Sequence, residues 1–195
     1  MNKKNLLAYG AVAVLFAVIG ACSRKEEAPA PAAAPAAAPA SATAAAPAIA
    51  AAPASAGPVQ AMFAQQLPDD KGVQQALSQW QGKNLVVNFW APWCGPCVEE
   101  MPELSELQKS DLGKNVQVLG IGIDSPTNIA EFAKKFNIAY PVYVAGMSGT
   151  ELSRQFGNTQ GGLPFTVVIG KDGQVKKTYL GRLKFEQLRS DLASM

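Results

Sequence analysis

The apolar residues of the last two thirds of the chain fall into blocks whose lengths suit strands and helices. The two most apolar blocks run almost without interruption, which is typical of strands buried on both faces. Two later blocks flank the turn sequence Lys171-Asp172-Gly173 and predict a β-hairpin. The predicted strands cover residues 84–91, 116–123, 141–144, 165–170 and 174–180.

Apolar residues three or four positions apart predict helices between these strands. One helix has a clear start signal at Asp124-Ser125-Pro126. The predicted helices cover residues 73–80, 96–110, 129–136, 149–156 and 183–192. A β-α-β-α order followed by a hairpin and a helix predicts an α/β fold, with a mixed, mostly parallel sheet between helices.

The first 22 residues have another pattern. Lys3 and Lys4 precede an apolar stretch that ends at Ile19, and Gly20 and Ala21 follow. This stretch is short for a membrane-spanning helix, which needs roughly 20 residues, and is typical of a signal peptide, here residues 1–21. The run before Cys22 resembles the bacterial lipoprotein box, which implies cleavage there and a lipid on the Cys22 sulfur. An ordinary signal peptide or a short uncleaved anchor is the alternative.

Residues 28–58 are of low complexity, with 19 Ala and seven Pro among 31 positions. Proline recurs too often for a continuous helix, and no apolar face exists that could pack. We expect residues 22–58 to form a lipidated N-terminus and a disordered, extended linker. At roughly 3.1 Å per residue, this linker would hold the domain of residues 59–195 up to about 90 Å from a bilayer.

Composition excludes several classes of protein. The chain contains no His, which argues against His-dependent hydrolases and most zinc or copper centres, so we expect no metal. Without Lys3 and Lys4, 15 of the 17 basic residues remain against 15 acidic residues. A near-neutral mature chain without a basic cluster does not favour nucleic acid as a partner.

The chemistry is concentrated in Trp93-Cys94-Gly95-Pro96-Cys97. Half a zinc site is one interpretation of two such cysteines, but residues 59–195 offer no other Cys and no His to complete it. A purely structural disulfide is another. The pair follows a predicted strand and opens a predicted helix, where free N–H groups and the helix dipole favour a Cys94 thiolate. Cys97, one turn later, is placed to resolve a mixed disulfide.

Residues 87–102 read VNFWAPWCGPCVEEMP and resemble the thioredoxin superfamily, above all its membrane-anchored TlpA/ResA-like thiol–disulfide oxidoreductases. The resemblance covers roughly residues 67–193 and implies a thioredoxin fold in which residues 124–144 are the helix–strand insertion of this branch. It also implies that Pro164 is a cis-proline facing the cysteines and that Leu163 offers its backbone to the substrate. No cofactor is implied beyond the redox-active cysteine pair.

Glu100 differs from the other early glutamates of its helix. It forms an i, i+4, i+7 set with Leu104 and Leu107, so we expect it to face inward, three residues beyond Cys97. Burial raises the pKa of a carboxyl group, which suits proton exchange with Cys97. The resemblance assigns an acid/base role to the residue at this position. Asn88 stands where cytoplasmic thioredoxins keep a buried Asp, so Glu100 is expected to replace that acid.

The resemblance further implies a direction of electron flow. Gly95-Pro96 is the redox-tuning dipeptide of reducing thioredoxins, near about −270 mV, rather than of oxidants near about −120 mV. Trp93 is expected on the substrate surface and Trp90 in the core. The implied protein is a monomeric periplasmic reductase of protein disulfides, such as those of apocytochrome c, recharged by a membrane thiol donor of the DsbD/CcdA kind. Ser23, in place of Asp, favours the outer membrane over the inner.

Three other functions stay open at this point. The first is a periplasmic disulfide oxidant or isomerase, which differs from a reductase only in redox potential. The second is a thiol peroxidase, although the Pro-x-x-x-Thr-x-x-Cys setting of peroxiredoxins is missing. The third is a non-catalytic, copper-carrying lipoprotein, although copper carriers of this fold add a His to their cysteines.

Overall fold

The structure, a computed structural model, describes residues 57–195. The predicted signal peptide (1–21), the lipidation site Cys22 and the linker as far as residue 56 lie outside the described residues. Among residues 57–195, no helix combines the length and the apolar character needed to cross a bilayer.

The described residues form two sheets and five α-helices. The strands are β1 (Gln66–Pro68), β2 (Gln74–Ala76), β3 (Asn84–Trp90), β4 (Val116–Gly122), β5 (Val142–Val144), β6 (Phe165–Ile169) and β7 (Val175–Leu180). The helices are α1 (Pro58–Phe63), α2 (Gly95–Lys109), α3 (Pro126–Phe136), α4 (Met147–Gln155) and α5 (Phe185–Ala193).

The central sheet has the order β5-β4-β3-β6-β7. β3 pairs in parallel with β4, and β4 with β5, whereas β6 is antiparallel to both β3 and β7. The predicted mixed sheet between helices is therefore confirmed, but parallel pairings are half of the total rather than most of it. The helix and strand expected within residues 124–144 are also present, as α3 and the edge strand β5.

Helices cover both faces of β3, which explains its continuous apolar run. Leu85, Val87 and Phe89 pack in a core with residues of α1 and α4. Val86 and Trp90 pack on the other face with residues of α2, α3 and α5. Side chains alternate between the two faces of a strand, so Asn88 lies on the face of α2. A polar residue is thereby placed in the middle of an apolar layer.

The helix predicted over residues 73–80 is wrong. Asp69 holds the chain in a tight turn, because its carboxylate accepts hydrogen bonds from the Lys71 and Val73 N–H groups at 2.9 Å each. The chain then returns as β2, antiparallel to β1, and a short 3-10 turn follows over Leu77–Trp80. Only Leu77 of this turn is fully buried. Val73, which the predicted helix would have buried beside Leu77, is 55% exposed, and Trp80 is only half-buried.

Candidate active site

Cys94 and Cys97 form a disulfide at the start of α2, with their Cα atoms 5.3 Å apart. Cys94 is the N-cap residue of the helix, and its carbonyl accepts the first helical hydrogen bond from the Val98 N–H at 3.1 Å. Pro96 occupies the first turn, where its missing N–H leaves no hydrogen bond unmade. The strand–turn–helix context expected from the sequence is therefore present.

The two sulfur-bearing residues differ in depth. Cys94 retains some exposure, whereas Cys97 has none. Trp93, Gly95 and Pro96 surround Cys94 on the outside, and Trp93 is 69% exposed. Another molecule can therefore approach Cys94 but not Cys97. This asymmetry matches an attacking thiol that meets the substrate and a resolving thiol behind it.

The carboxyl group of Glu100 is buried beneath the disulfide-bearing turn of α2. Its Oε1 accepts a 2.7 Å hydrogen bond from the side-chain amide of Asn88 on β3. Its Oε2 accepts a 2.9 Å hydrogen bond from the backbone N–H of Leu183, which precedes α5. Each oxygen therefore has one donor, supplied by a different part of the fold.

Burial raises the pKa of Glu100 from 4.5 to about 7. Removal from water is the largest cause, because it disfavours the charged form. The hydrogen bonds from Leu183 and Asn88 and the nearby charge of Arg182 act in the opposite direction, and Glu103 adds a small increase. A carboxyl group with such a pKa can both accept and return a proton near neutral pH.

Leu163 and Pro164 precede β6, at the end of the central sheet where β3 ends and the chain continues to the disulfide. The Leu163–Pro164 peptide bond is cis. Phe165, the next residue, pairs with Phe89 at the end of β3, from which the chain runs on to the cysteines. Leu163 is partly buried against the core cluster that contains Cys94 and Cys97. The segment that the resemblance assigned to substrate binding thus lies at the end of β3 from which the chain continues to the cysteines.

Sequence reasoning missed two partners of Glu100. Asn88 drew attention only as the absence of an Asp, although a polar residue inside a buried strand signals a hydrogen-bonded partner. Its amide also donates to Thr166 Oγ1 on β6 at 3.0 Å. Leu183 contributes only its backbone N–H, and such a contact cannot be predicted from the type of residue.

The disulfide lies just below the surface, and only its Cys94 side is slightly exposed. A cavity of about 650 Å³ opens at the opposite end of the sheet, where Asn84 and Val116 begin β3 and β4. The cysteines instead follow the last residue of β3, beside the exposed Trp93. A disulfide that is slightly exposed at Cys94, next to an exposed aromatic ring, suits a disulfide carried by another protein.

Comparisons with known proteins agree with this geometry. The family model Redoxin matches residues 30–193. Thiol-disulfide oxidoreductase ResA of Geobacillus thermodenitrificans is 32% identical over 130 residues, which cover 66% of this chain and 72% of that protein. A thioredoxin-related protein from Neisseria meningitidis serogroup B is 34% identical, with a TM-score of 0.56, over 63% of this chain and 92% of that structure.

A secreted Mycobacterium tuberculosis disulfide oxidoreductase, homologous to Escherichia coli DsbE, has the same fold. Its TM-score is 0.59 at 20% identity, over 69% of this chain and 98% of that structure. Residues 30–193, which the family model matches, contain the central sheet, the cysteine pair and Pro164. The chain belongs to the Redoxin family and is a ResA-like thiol–disulfide oxidoreductase of the thioredoxin superfamily.

Proposed function

We propose that this oxidoreductase works outside the cytoplasm as a protein-disulfide reductase, tethered to a membrane by a lipid on Cys22. The observation that supports the reaction is the difference in exposure along the first two turns of α2: Cys94 is slightly exposed, whereas Cys97 and Glu100 are fully buried. The location is supported by the signal-like pattern of residues 1–21 and by the resemblance of the run before Cys22 to a lipoprotein box.

In the proposed cycle, the reduced enzyme begins with a Cys94 thiolate and a Cys97 thiol. The thiolate attacks one sulfur of a substrate disulfide, forms a mixed disulfide and releases the other substrate sulfur as a thiolate. The helix N-terminus stabilises the attacking anion. Trp93, Leu163 and Pro164 hold the substrate chain beside Cys94 while the mixed disulfide forms.

Cys97 completes the reaction. The Glu100 carboxylate takes the Cys97 proton, and the Cys97 thiolate attacks the Cys94 sulfur. The Cys94–Cys97 disulfide forms and the second substrate thiolate leaves, so that the substrate gains two electrons and the enzyme loses two. A dithiol donor, which we propose is a membrane protein of the DsbD/CcdA kind, then returns two electrons to the cysteines. The proton held by Glu100 returns to Cys97, so that the Cys94 thiolate and the Cys97 thiol form again.

Trapping tests the cycle. In a Cys97→Ser variant the mixed disulfide cannot be resolved, so Cys94 should retain substrate proteins as adducts that a reducing agent releases. The matched Cys94→Ser variant should retain none. Equal adducts from both variants, or adducts from neither, would refute the assigned roles.

The direction of transfer has its own test. The Gly95-Pro96 dipeptide leads us to expect a reduction potential near about −270 mV, measured by equilibration with a dithiol buffer. A potential above about −150 mV would point to an oxidant or isomerase. For the tether, Cys22→Ala should move the protein from the membrane fraction to the soluble fraction, and density fractionation of the unchanged protein should place it in the outer membrane.

A further inference from the structure

A three-residue segment between β7 and α5 contacts both the cis-proline and the buried acid. We call Gly181, Arg182 and Leu183 the connecting segment. The Gly181 N–H donates a 2.8 Å hydrogen bond to the Pro164 carbonyl oxygen. The Leu183 N–H donates a 2.9 Å hydrogen bond to Glu100 Oε2. One residue, Arg182, therefore separates a contact with the cis-proline from a contact with the acid.

The side chain of Arg182 lies along the outside of α2. Its guanidinium lies 3.5 Å from the Glu99 carboxylate and 3.2 Å from the Glu103 carboxylate. These residues flank Glu100 in sequence, one position before it and three positions after it. A planar guanidinium can hold two carboxylates at once, which a lysine ammonium does less well. The pairs join positions about 80 residues apart, so they fasten the connecting segment to the helix.

We propose that Arg182 is a positioning residue for Glu100: by binding Glu99 and Glu103, it holds the connecting segment against α2 and keeps the Leu183 N–H on the buried carboxylate. The inference rests on the proposed role of Glu100 as the acid/base for Cys97. Its physical basis is geometric, because the Leu183 bond is one of only two hydrogen bonds that the described residues give to this carboxylate.

The bond matters because it acts mainly on the ionised acid. A hydrogen bond to a charged group contributes about 1.5–3 kcal/mol, and its loss favours the protonated form. The charged and titratable groups that act on or face Glu100 are Glu103 on its own helix, Cys97 one turn earlier, Arg182 from the connecting segment and the Tyr140 hydroxyl from the segment before β5. The experiment must therefore separate a lost hydrogen bond from a lost charge.

A double variant, Glu99→Gln with Glu103→Gln, separates the two effects because they shift the pKa of Glu100 in opposite directions. Direct electrostatics predicts that removing two negative charges, while Arg182 stays, lowers the pKa of Glu100. Release of the connecting segment predicts the reverse, because the Leu183 hydrogen bond weakens. The measurement is the carboxyl ¹³C titration of Glu100 in the oxidised full-length protein. We expect the midpoint to rise, and a fall or an unchanged midpoint would overturn the proposal.

Two further measurements sharpen the test. In the double variant the Leu183 amide should exchange with solvent about tenfold faster, as expected for a local opening made easier by about 1.4 kcal/mol. Arg182→Lys keeps the positive charge but loses the planar guanidinium that binds both carboxylates. It should therefore raise the Glu100 midpoint, though by less than the double variant does. A pure charge effect would leave the midpoint unchanged. The controls are Glu106→Gln and Arg154→Gln, whose ion pairs with Lys109 and Glu151 are local surface contacts.

Titration of the oxidised protein requires no turnover, so the two proposals can fail separately. If the Glu100 midpoint moves as expected but the pH dependence of Cys97 alkylation in the reduced protein does not follow, the acid/base role of Glu100 is wrong and the positioning role of Arg182 stands. If the midpoint does not rise in the double variant, the positioning role is wrong whatever the kinetics show.

Discussion

The side-chain amide of Asn88 donates a 2.7 Å hydrogen bond to Oε1 of Glu100, and both residues are completely buried. The same nitrogen donates to Thr166, whereas the amide oxygen of Asn88 has no partner among the described residues. Both carboxyl oxygens of Glu100 thus face donors, which is the arrangement that an ionised acid requires. Burial of Glu100 therefore favours its protonated form, while the two hydrogen bonds stabilise its ionised form.

The pKa of Glu100 predicts a specific pH dependence of stability. Its value is about 7 in the folded protein against 4.5 for the free side chain. Between these values the folded state binds more protons than the unfolded state, so the free energy of unfolding should fall as pH rises, by about 3 kcal/mol in total. Above pH 7 this contribution should level off.

Urea unfolding of the oxidised protein between about pH 4.5 and 8 would measure this slope. Glu100→Gln should flatten it, because the amide does not titrate, while the exposed Glu106→Gln should leave it intact. Four Asp residues have pKa values lowered from 3.8, and their ionised forms stabilise the fold. This stabilisation is lost only as the pH falls below that value, which lies outside the measured range. The four are Asp69, Asp124, Asp172 and Asp191. A slope that persists in Glu100→Gln would contradict the assignment.

Asn88→Asp should place a second carboxyl group within hydrogen-bonding distance of Glu100. Two buried carboxylates repel each other, so the variant should lose about 3 kcal/mol or more of stability at about pH 8. It should recover most of that loss near pH 5, where the pair holds a proton. Asn84→Asp, at the partly exposed start of the same strand, is the matched control and should show little pH-dependent loss.

The two tryptophans before the cysteines should respond in opposite ways to truncation. Trp90 is fully buried and Trp93 is 69% exposed. Trp90→Ala should destabilise the fold by about 3–5 kcal/mol, because it leaves a large cavity. Trp93→Ala should change stability by less than about 0.5 kcal/mol but lower kcat/KM for a protein disulfide about tenfold. Equal turnover by Trp93→Ala and the unchanged protein would remove Trp93 from the substrate surface.

Pro96→Ala should raise the reduction potential. The substitution adds a backbone N–H in the first turn of α2, near the Cys94 thiolate of the reduced form. A stabilised thiolate favours the reduced state, and each 1.4 kcal/mol corresponds to about 30 mV. Gly95→Ala is the comparison within the same dipeptide and should change the potential less, because it adds a Cβ that meets no atom within 4 Å but no new N–H. Equilibration with glutathione would measure both, and an unchanged potential in Pro96→Ala would exclude this tuning.

Local sequence patterns were sufficient to predict the central strands, the inward acid and the chemistry of the cysteine pair. Continuous apolar runs predicted β3 and β4, because a strand covered on both faces has no polar side to display. The i, i+4, i+7 spacing of Glu100 with Leu104 and Leu107 predicted an inward carboxyl group, because the α-helix repeats every 3.6 residues. The Cys94–Cys97 motif and its strand–helix context indicated the chemistry. All of these are short-range patterns.

The hydrogen-bond partners of Glu100 could be identified only once the packing of the fold was known. Asn88 lies 12 positions from Glu100 and Leu183 lies 83 positions from it, and Leu183 contributes a backbone group that every residue except proline possesses. The same holds for the hairpin of β1 and β2, where the turn at Asp69 and pairing between strands prevail over the local spacing that predicted a helix at 73–80. Contacts between distant parts of a chain depend on how its layers pack, so local periodicity does not predict them.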